Sequence, residues 1–214
     1  PGPSPPARTA EGAARGGSTA LYFDWSSVYI VARLTGPASI LLHEAANASK
    51  APQHPPAAPG NGYLVQLLDS QQPPVRLNTT ATVHEYPLPL AAGVTATVRI
   101  EKVTEAREDS GGVVRFDGLR AAALHPQPPV PQRRIECIGD SIMCGAHSER
   151  VHPFPSDCDD EHGGNRESSH LSWCPVLARS LAADYQMECC SGNGLVYTDN
   201  PTSAVDCDWG RIPP

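Results

Sequence analysis

From Tyr22 to about Leu124, apolar and polar positions alternate with a period of two. Val28, Ile30, Ala32 and Leu34 share one face, as do Tyr63, Val65 and Leu67, while Ala96, Val98 and Ile100 are opposed by Arg99 and Glu101. Side chains of a strand point alternately to its two faces, so this spacing predicts half-buried β-strands. Turn-forming residues divide the segment at Gly36-Pro37, between Pro52 and Gly62, and at Pro73-Pro74, Ala92-Gly93 and Ser110-Gly111-Gly112. No helix-length amphipathic stretch interrupts them. The pattern therefore reads as an antiparallel all-β sandwich.

Beyond Leu124 the pattern changes. His125-Pro126-Gln127-Pro128-Pro129-Val130-Pro131 is stiff and cannot pair in a sheet, which makes it a spacer between domains. Arg134-Ile135-Glu136-Cys137-Ile138 then reads as a short buried strand running into Gly139-Asp140-Ser141. A helix is predicted where Ser172 can cap, Pro175 falls in the first turn, and Trp173, Leu177 and Leu181 recur at i, i+4 and i+8. Tyr185 to Cys190 is a second strand, ending at Ser191-Gly192-Asn193-Gly194. The order β, α, β implies parallel pairing and an α/β domain. The N-terminal Pro, Gly, Ala and Ser residues cannot offset their own ordering entropy. The expected organisation is a disordered tail over 1–18, a sandwich over 19–125, a proline-rich linker over 126–133 and an α/β domain over 134–214.

Sixteen Lys and Arg against 23 Asp and Glu leave a net charge of −7, and no basic stripe is present. Nucleic acid and anionic membranes are therefore excluded as electrostatic partners. No apolar run approaches the roughly 20 residues of a membrane span. Seven cysteines, clustered from Cys137 to Cys207, lack the paired spacing of a zinc site and read as disulfides, one thiol being left over. Sequons at Asn47-Ala48-Ser49 and Asn78-Thr79-Thr80 could accept glycans. Together these features favour secretion.

A serine at the carboxyl end of a parallel strand sits where open α/β sheets place their ligands, and flanking glycines allow the tight turn that presents its hydroxyl. Ser141 is thus a candidate nucleophile, although Gly-Asp-Ser alone is also a common surface turn. His147, His152, His162 and His170 follow it in a Pro-, Gly- and Asp-rich stretch, where solvated histidines are ordinary. Asp157, Asp159, Asp160 and Glu161 lack the spacing of a calcium loop. Trp25 and Tyr29 could stack on a sugar, but aromatic residues in sandwich strands usually belong to the core.

Residues 134–145 and 168–194 resemble the opening blocks of the SGNH hydrolases, in particular carbohydrate esterase family two. Phe23-Asp24-Trp25-Ser26, Lys102-Val103-Thr104-Glu105 and Phe116-Asp117-Gly118 are similar to strings in that family's β domain. The resemblance implies a jelly-roll β-sandwich followed by part of a flavodoxin-like α/β hydrolase domain. It implies a serine esterase that deacetylates a polysaccharide such as xylan or glucomannan, without cofactor or metal. Ser141 would be the nucleophile and one oxyanion N–H donor, with Gly139 and Asp140 supporting its turn. Gly194, or alternatively Gly192, would supply a second N–H. The family's Gly-x-Asn-Asp and C-terminal Asp-x-x-His blocks do not follow the second strand, so the 214 residues are expected to lack the catalytic histidine. The alternative is a non-catalytic carbohydrate-binding or scaffold protein with the same two parts.

Overall fold

The computed structural model describes residues 20–44, 60–80, 82–105, 113–126, 128–146, 148–149 and 167–191. The tail predicted over 1–18, Asn47, the turn at 110–112, Gly192 and Gly194 lie outside these residues.

The alternating segment forms seven antiparallel strands: β1 (Leu21–Phe23), β2 (Tyr29–Glu44), β3 (Gly62–Leu67), β4 (Val75–Asn78), β5 (Glu85–Pro87), β6 (Thr95–Lys102) and β7 (Val114–Leu124). Their order is β1-β7-β2-β6-β3-β4, with β5 also pairing with β2. The sixteen-residue β2 organises the sheet. Its first half pairs with β6 over Tyr29–Thr35, and its second half pairs with β5 at Ser39–Leu41. β7 runs along its other edge from Leu34 to Glu44.

Every second residue of β2 from Leu34 to Glu44 is buried, as the period of two requires. Leu34, Ile40 and Leu42 meet Val98 and Ile100 of β6 and Val114 of β7 in one core. Each such side chain contributes about 1.5–3 kcal/mol when withdrawn from water. A seven-stranded antiparallel sheet with one apolar core is consistent with a sandwich.

The turn expected at Gly36-Pro37 is absent, because β2 continues through it. The register with β7 shifts between Thr35 and Ala38 instead. Proline cannot donate to the ladder, so the strand takes up this dipeptide as an irregularity. Gly36 is required there, since a Cβ would lie 2.3 Å from the Ala91 carbonyl oxygen.

After the proline-rich segment come β8 (Arg134–Gly139), α1 (Ser141–Cys144), a 3-10 turn (Ser169–Leu171), α2 (Trp173–Ser180) and β9 (Asp184–Cys189). β8 and β9 pair in parallel, Arg134 against Asp184 through Gly139 against Cys189. The β, α, β reading therefore holds, but the face assigned to the helix does not. Trp173, Leu177 and Leu181 are 53%, 41% and 45% exposed, whereas Cys174, Pro175 and Ala178 are buried. Small residues let the helix lie close to β8 and β9, and a disulfide from Cys174 to Cys137 draws that face inward. Ser172 has the extended backbone of an N-cap, but its hydroxyl turns to the Met187 sulfur, 3.8 Å away.

The core of this unit is small, comprising Cys137, Met143, Cys144, Cys174, Ala178, Tyr185, Met187 and Cys189. Disulfides compensate. Cys137–Cys174 closes 37 residues between β8 and α2, and Cys144–Cys189 closes 45 between α1 and β9. By restricting the unfolded chain, each stabilises the fold by about 2–4 kcal/mol. Cys190 is disulfide-bonded as well.

Candidate active site

Ser141 opens α1 immediately beyond the carboxyl end of β8. Asp140 caps that helix, its Oδ1 accepting a 3.0 Å hydrogen bond from the Ile142 N–H. Gly145 closes it in the left-handed conformation, φ 81°, and its N–H bonds back to Ile142. The serine is thus held on a four-residue helix pinned at both ends. It is half-buried, and its hydroxyl has no hydrogen-bond partner among the described residues. A hydroxyl left unpaired at the surface of a tight turn is available to a reacting group.

Gly145 also fixes where this turn sits. A Cβ at that position would lie 2.2 Å from the Ser168 carbonyl oxygen and 2.8 Å from the Ser169 nitrogen, both backbone atoms that cannot swing aside. The Gly145 carbonyl in turn accepts from the Ser168 N–H at 3.1 Å. Gly145→Ala combines a positive-φ penalty with a backbone clash and is expected to destabilise the protein by about 3 kcal/mol. Chemical denaturation of the two proteins, compared at equal m-value, checks this.

The sheet reaches under the same turn. Ser26, between β1 and β2, places its hydroxyl 3.3 Å from the Cys189 sulfur and donates to the Cys144 sulfur at 3.7 Å. Ser27 takes a positive φ of 62° and donates to the Ser169 hydroxyl at 2.8 Å. Glu105, just beyond β6, accepts from both the N–H and the hydroxyl of Ser191, the latter at 2.6 Å. Ser191 directly precedes Gly192 in sequence. Beside it Lys102 is fully buried, its ammonium donating to the Thr104 carbonyl at 2.5 Å. Burial lowers its pKa to about 8, against the pull of Glu167, Glu44, Asp24 and Glu105.

A second polar layer joins the two units. Glu101 of β6 is 1% exposed, and it accepts from the Tyr185 hydroxyl of β9 at 2.5 Å and pairs with His170 Nδ1 at 2.9 Å. Burial alone would raise its carboxyl. The His170 hydrogen bond, the Arg99 and His170 charges and the Tyr185 hydroxyl bring it below the ordinary value instead. Arg99 stacks 3.8 Å over the Tyr29 ring, and the Tyr29 hydroxyl bonds to Asp184. Tyr29 is therefore an interface residue and is not a free sugar platform.

His170 is likewise engaged, lying between Glu101 and Arg179. His147, His152, His162 and the acidic run Asp157 to Glu161 lie outside the described residues. One Asp-x-x-His spacing does occur in the chain, at Asp159-Asp160-Glu161-His162, ahead of the second strand. Glu105, Cys144 and Glu167 approach one another as metal ligands would, but the Cys144 sulfur is tied into its disulfide and offers no thiolate. Asn78 is exposed at the end of β4, its Oδ1 accepting from Arg76 Nε at 3.2 Å.

Sequence reasoning missed the roles of Ser26, Ser27 and Glu105. The available signal was the place of Ser26 and Glu105 in the Phe-Asp-Trp-Ser and Lys-Val-Thr-Glu strings, with Ser27 directly after the first, too far along the chain to be connected with Ser141.

No protein-family model matches the chain. An acetylxylan esterase / glucomannan deacetylase of Cellvibrio japonicus is 33% identical over 144 residues, covering 65% of this chain and 38% of that protein. The chain resembles the family two carbohydrate esterases. A solved family two carbohydrate esterase from Clostridium thermocellum, in complex with cellohexaose, superposes with a TM-score of 0.63 at 24% identity, over 83% of this chain and 49% of that one. A family two carbohydrate esterase from Cellvibrio japonicus does so with a TM-score of 0.65 at 20% identity, over 85% and 48%. These likenesses show a shared fold. The chain spans less than half the length of each of these relatives.

Proposed function

We propose that the chain is part of a secreted serine esterase that removes acetyl groups from a plant-type polysaccharide such as xylan or glucomannan. The observation that carries this reading is the Ser141 hydroxyl, held on a capped turn at the end of a parallel strand with no hydrogen-bond partner among the described residues. In the proposed reaction it attacks the acetyl carbonyl, the sugar hydroxyl leaves, and water releases acetate from the acyl-enzyme. The Ser141 N–H and that of Gly194, or of Gly192, stabilise the oxyanion. Asp140 and Gly139 hold the turn, and no cofactor takes part. The proposed division is a sandwich domain over 19–125, a linker over 126–133 and a hydrolase domain over 134–214. The buried disulfides support an oxidising, extracellular compartment, in which Asn47 and Asn78 could carry glycans.

Acetate release from acetylated xylan and acetylated glucomannan by the full-length protein tests this. Release from at least one of them is expected. Binding to both polysaccharides without any acetate would favour a non-catalytic carbohydrate-binding protein instead.

A further inference from the structure

Two tethers hold the end of β9 against the turn that carries Ser141, and neither belongs to the reacting groups. Cys144, three residues after the serine, is bonded to Cys189, the last residue of β9. Glu105 arrives from the sheet and grips Ser191, two residues further on, by its N–H and its hydroxyl. The Cys190 N–H bonds to the Gly139 carbonyl at 3.2 Å, which continues the parallel ladder to this point. Ser26 packs on both sulfurs of the disulfide, so the sheet is part of the same assembly. All these groups are buried or half-buried.

We propose that the Cys144–Cys189 disulfide and Glu105 form a clamp that positions the Ser141 turn relative to the end of β9 for the reaction. This rests on the esterase reading. A displacement of about 1 Å between a nucleophile and its oxyanion donors can lower turnover on the order of 10²-fold without changing either group. The second disulfide, Cys137–Cys174, joins β8 to α2 and stabilises the unit without reaching Ser141 or the end of β9. It therefore serves as the internal control. Cys144, Cys189 and Glu105 are positioning residues, since none of them touches the reacting atoms.

The test compares variants of the full-length protein on 4-nitrophenyl acetate, with thermal unfolding measured on each. Cys144→Ala together with Cys189→Ala should lower kcat on the order of 10²-fold while KM stays within about threefold. Cys137→Ala together with Cys174→Ala should lower the Tm comparably but leave kcat within about threefold of the parent. Glu105→Gln leaves every disulfide in place and should lower kcat about tenfold with KM unchanged, so it carries the test if the first pair fails to fold. Parental kcat in a folded Cys144/Cys189 variant, or in Glu105→Gln when that pair does not fold, overturns the clamp. Equal loss of kcat in the two disulfide variants also overturns it, because the disulfides would then act through stability alone. Failure of the esterase reading is distinguishable, since Ser141→Ala would then retain the parental rate.

Discussion

Ser141→Ala in the full-length protein is expected to lower hydrolysis of an aryl acetate on the order of 10³-fold or more, with the fold and Tm unchanged. The alcohol oxygen forms the acyl bond, and alanine offers nothing to attack with. Ser141 Oγ has no hydrogen-bond partner among the described residues, so its removal strands no buried group. The loss therefore reports chemistry and not stability. The same reasoning sets an expectation for the 214 residues by themselves. A serine hydroxyl is a weak nucleophile at neutral pH, and a general base typically contributes about 10²–10⁴-fold. His170 is committed to Glu101 and Arg179, and no Asp-x-x-His block follows the second strand. The 214-residue chain should thus be almost inactive on an aryl acetate, and stopped-flow release of the aryl alcohol measures this. Robust turnover that depends on Ser141 would instead direct attention to a histidine ahead of the second strand, His162 of Asp159-Asp160-Glu161-His162 first among them.

Glu101→Leu is the second change of large effect, with an expected destabilisation of about 3–5 kcal/mol. Its carboxylate receives the Tyr185 hydroxyl, pairs with His170 Nδ1 and lies 3.4 Å from Arg99 Nε, all within the contact between the sheet and β9. Leucine would leave a buried phenol and a guanidinium facing hydrocarbon, and unpaired buried polar groups cost more than the bonds themselves contribute. In a protein of this size the fall in Tm should be about 10 °C. Glu101→Gln keeps an acceptor oxygen and should fall between the two. The pH dependence has a definite sign. The folded carboxyl lies below its unfolded value of 4.5, so its stabilisation is fully present above pH 4.5 and is lost as pH falls through the lower folded value. Denaturation of parent and Glu101→Leu between pH 3 and 6 should therefore show the gap closing on the acid side. A gap that stays constant with pH would sink this account of the interface.

Much of the architecture follows from local rules acting on neighbouring residues. The period of two in β2 and β6 names the residues that share a face, because the backbone alternates its side chains whatever surrounds it. The run from Arg134 into Gly139-Asp140-Ser141 and the later Tyr185–Cys190 stretch are legible as parallel strands, since a helix between two strands leaves few other pairings. The capped turn at Ser141 is equally local, needing only Asp140 before it and Gly145 after it.

What each face meets is a different kind of information. Arg99 and Glu101 read as the solvated side of β6, yet Glu101 is 1% exposed because His170 and Tyr185, the latter 84 residues away in sequence, dock on it. On α2 the large residues Trp173, Leu177 and Leu181 looked like the core face, but Cys174 and Ala178 took that place. Close approach to β8 and β9, together with a disulfide, favoured the small side chains. The cysteine pairing was equally invisible, since seven cysteines state that bridges form and leave open which thiols meet. Sequence alone determined the strands, their apolar faces and the serine at a strand end. The tertiary structure decided which polar face is buried, which thiols join and which distant residues grip the Ser141 turn. Periodicity and capping act over a few residues, whereas burial and docking depend on chain segments that meet only when the whole has folded.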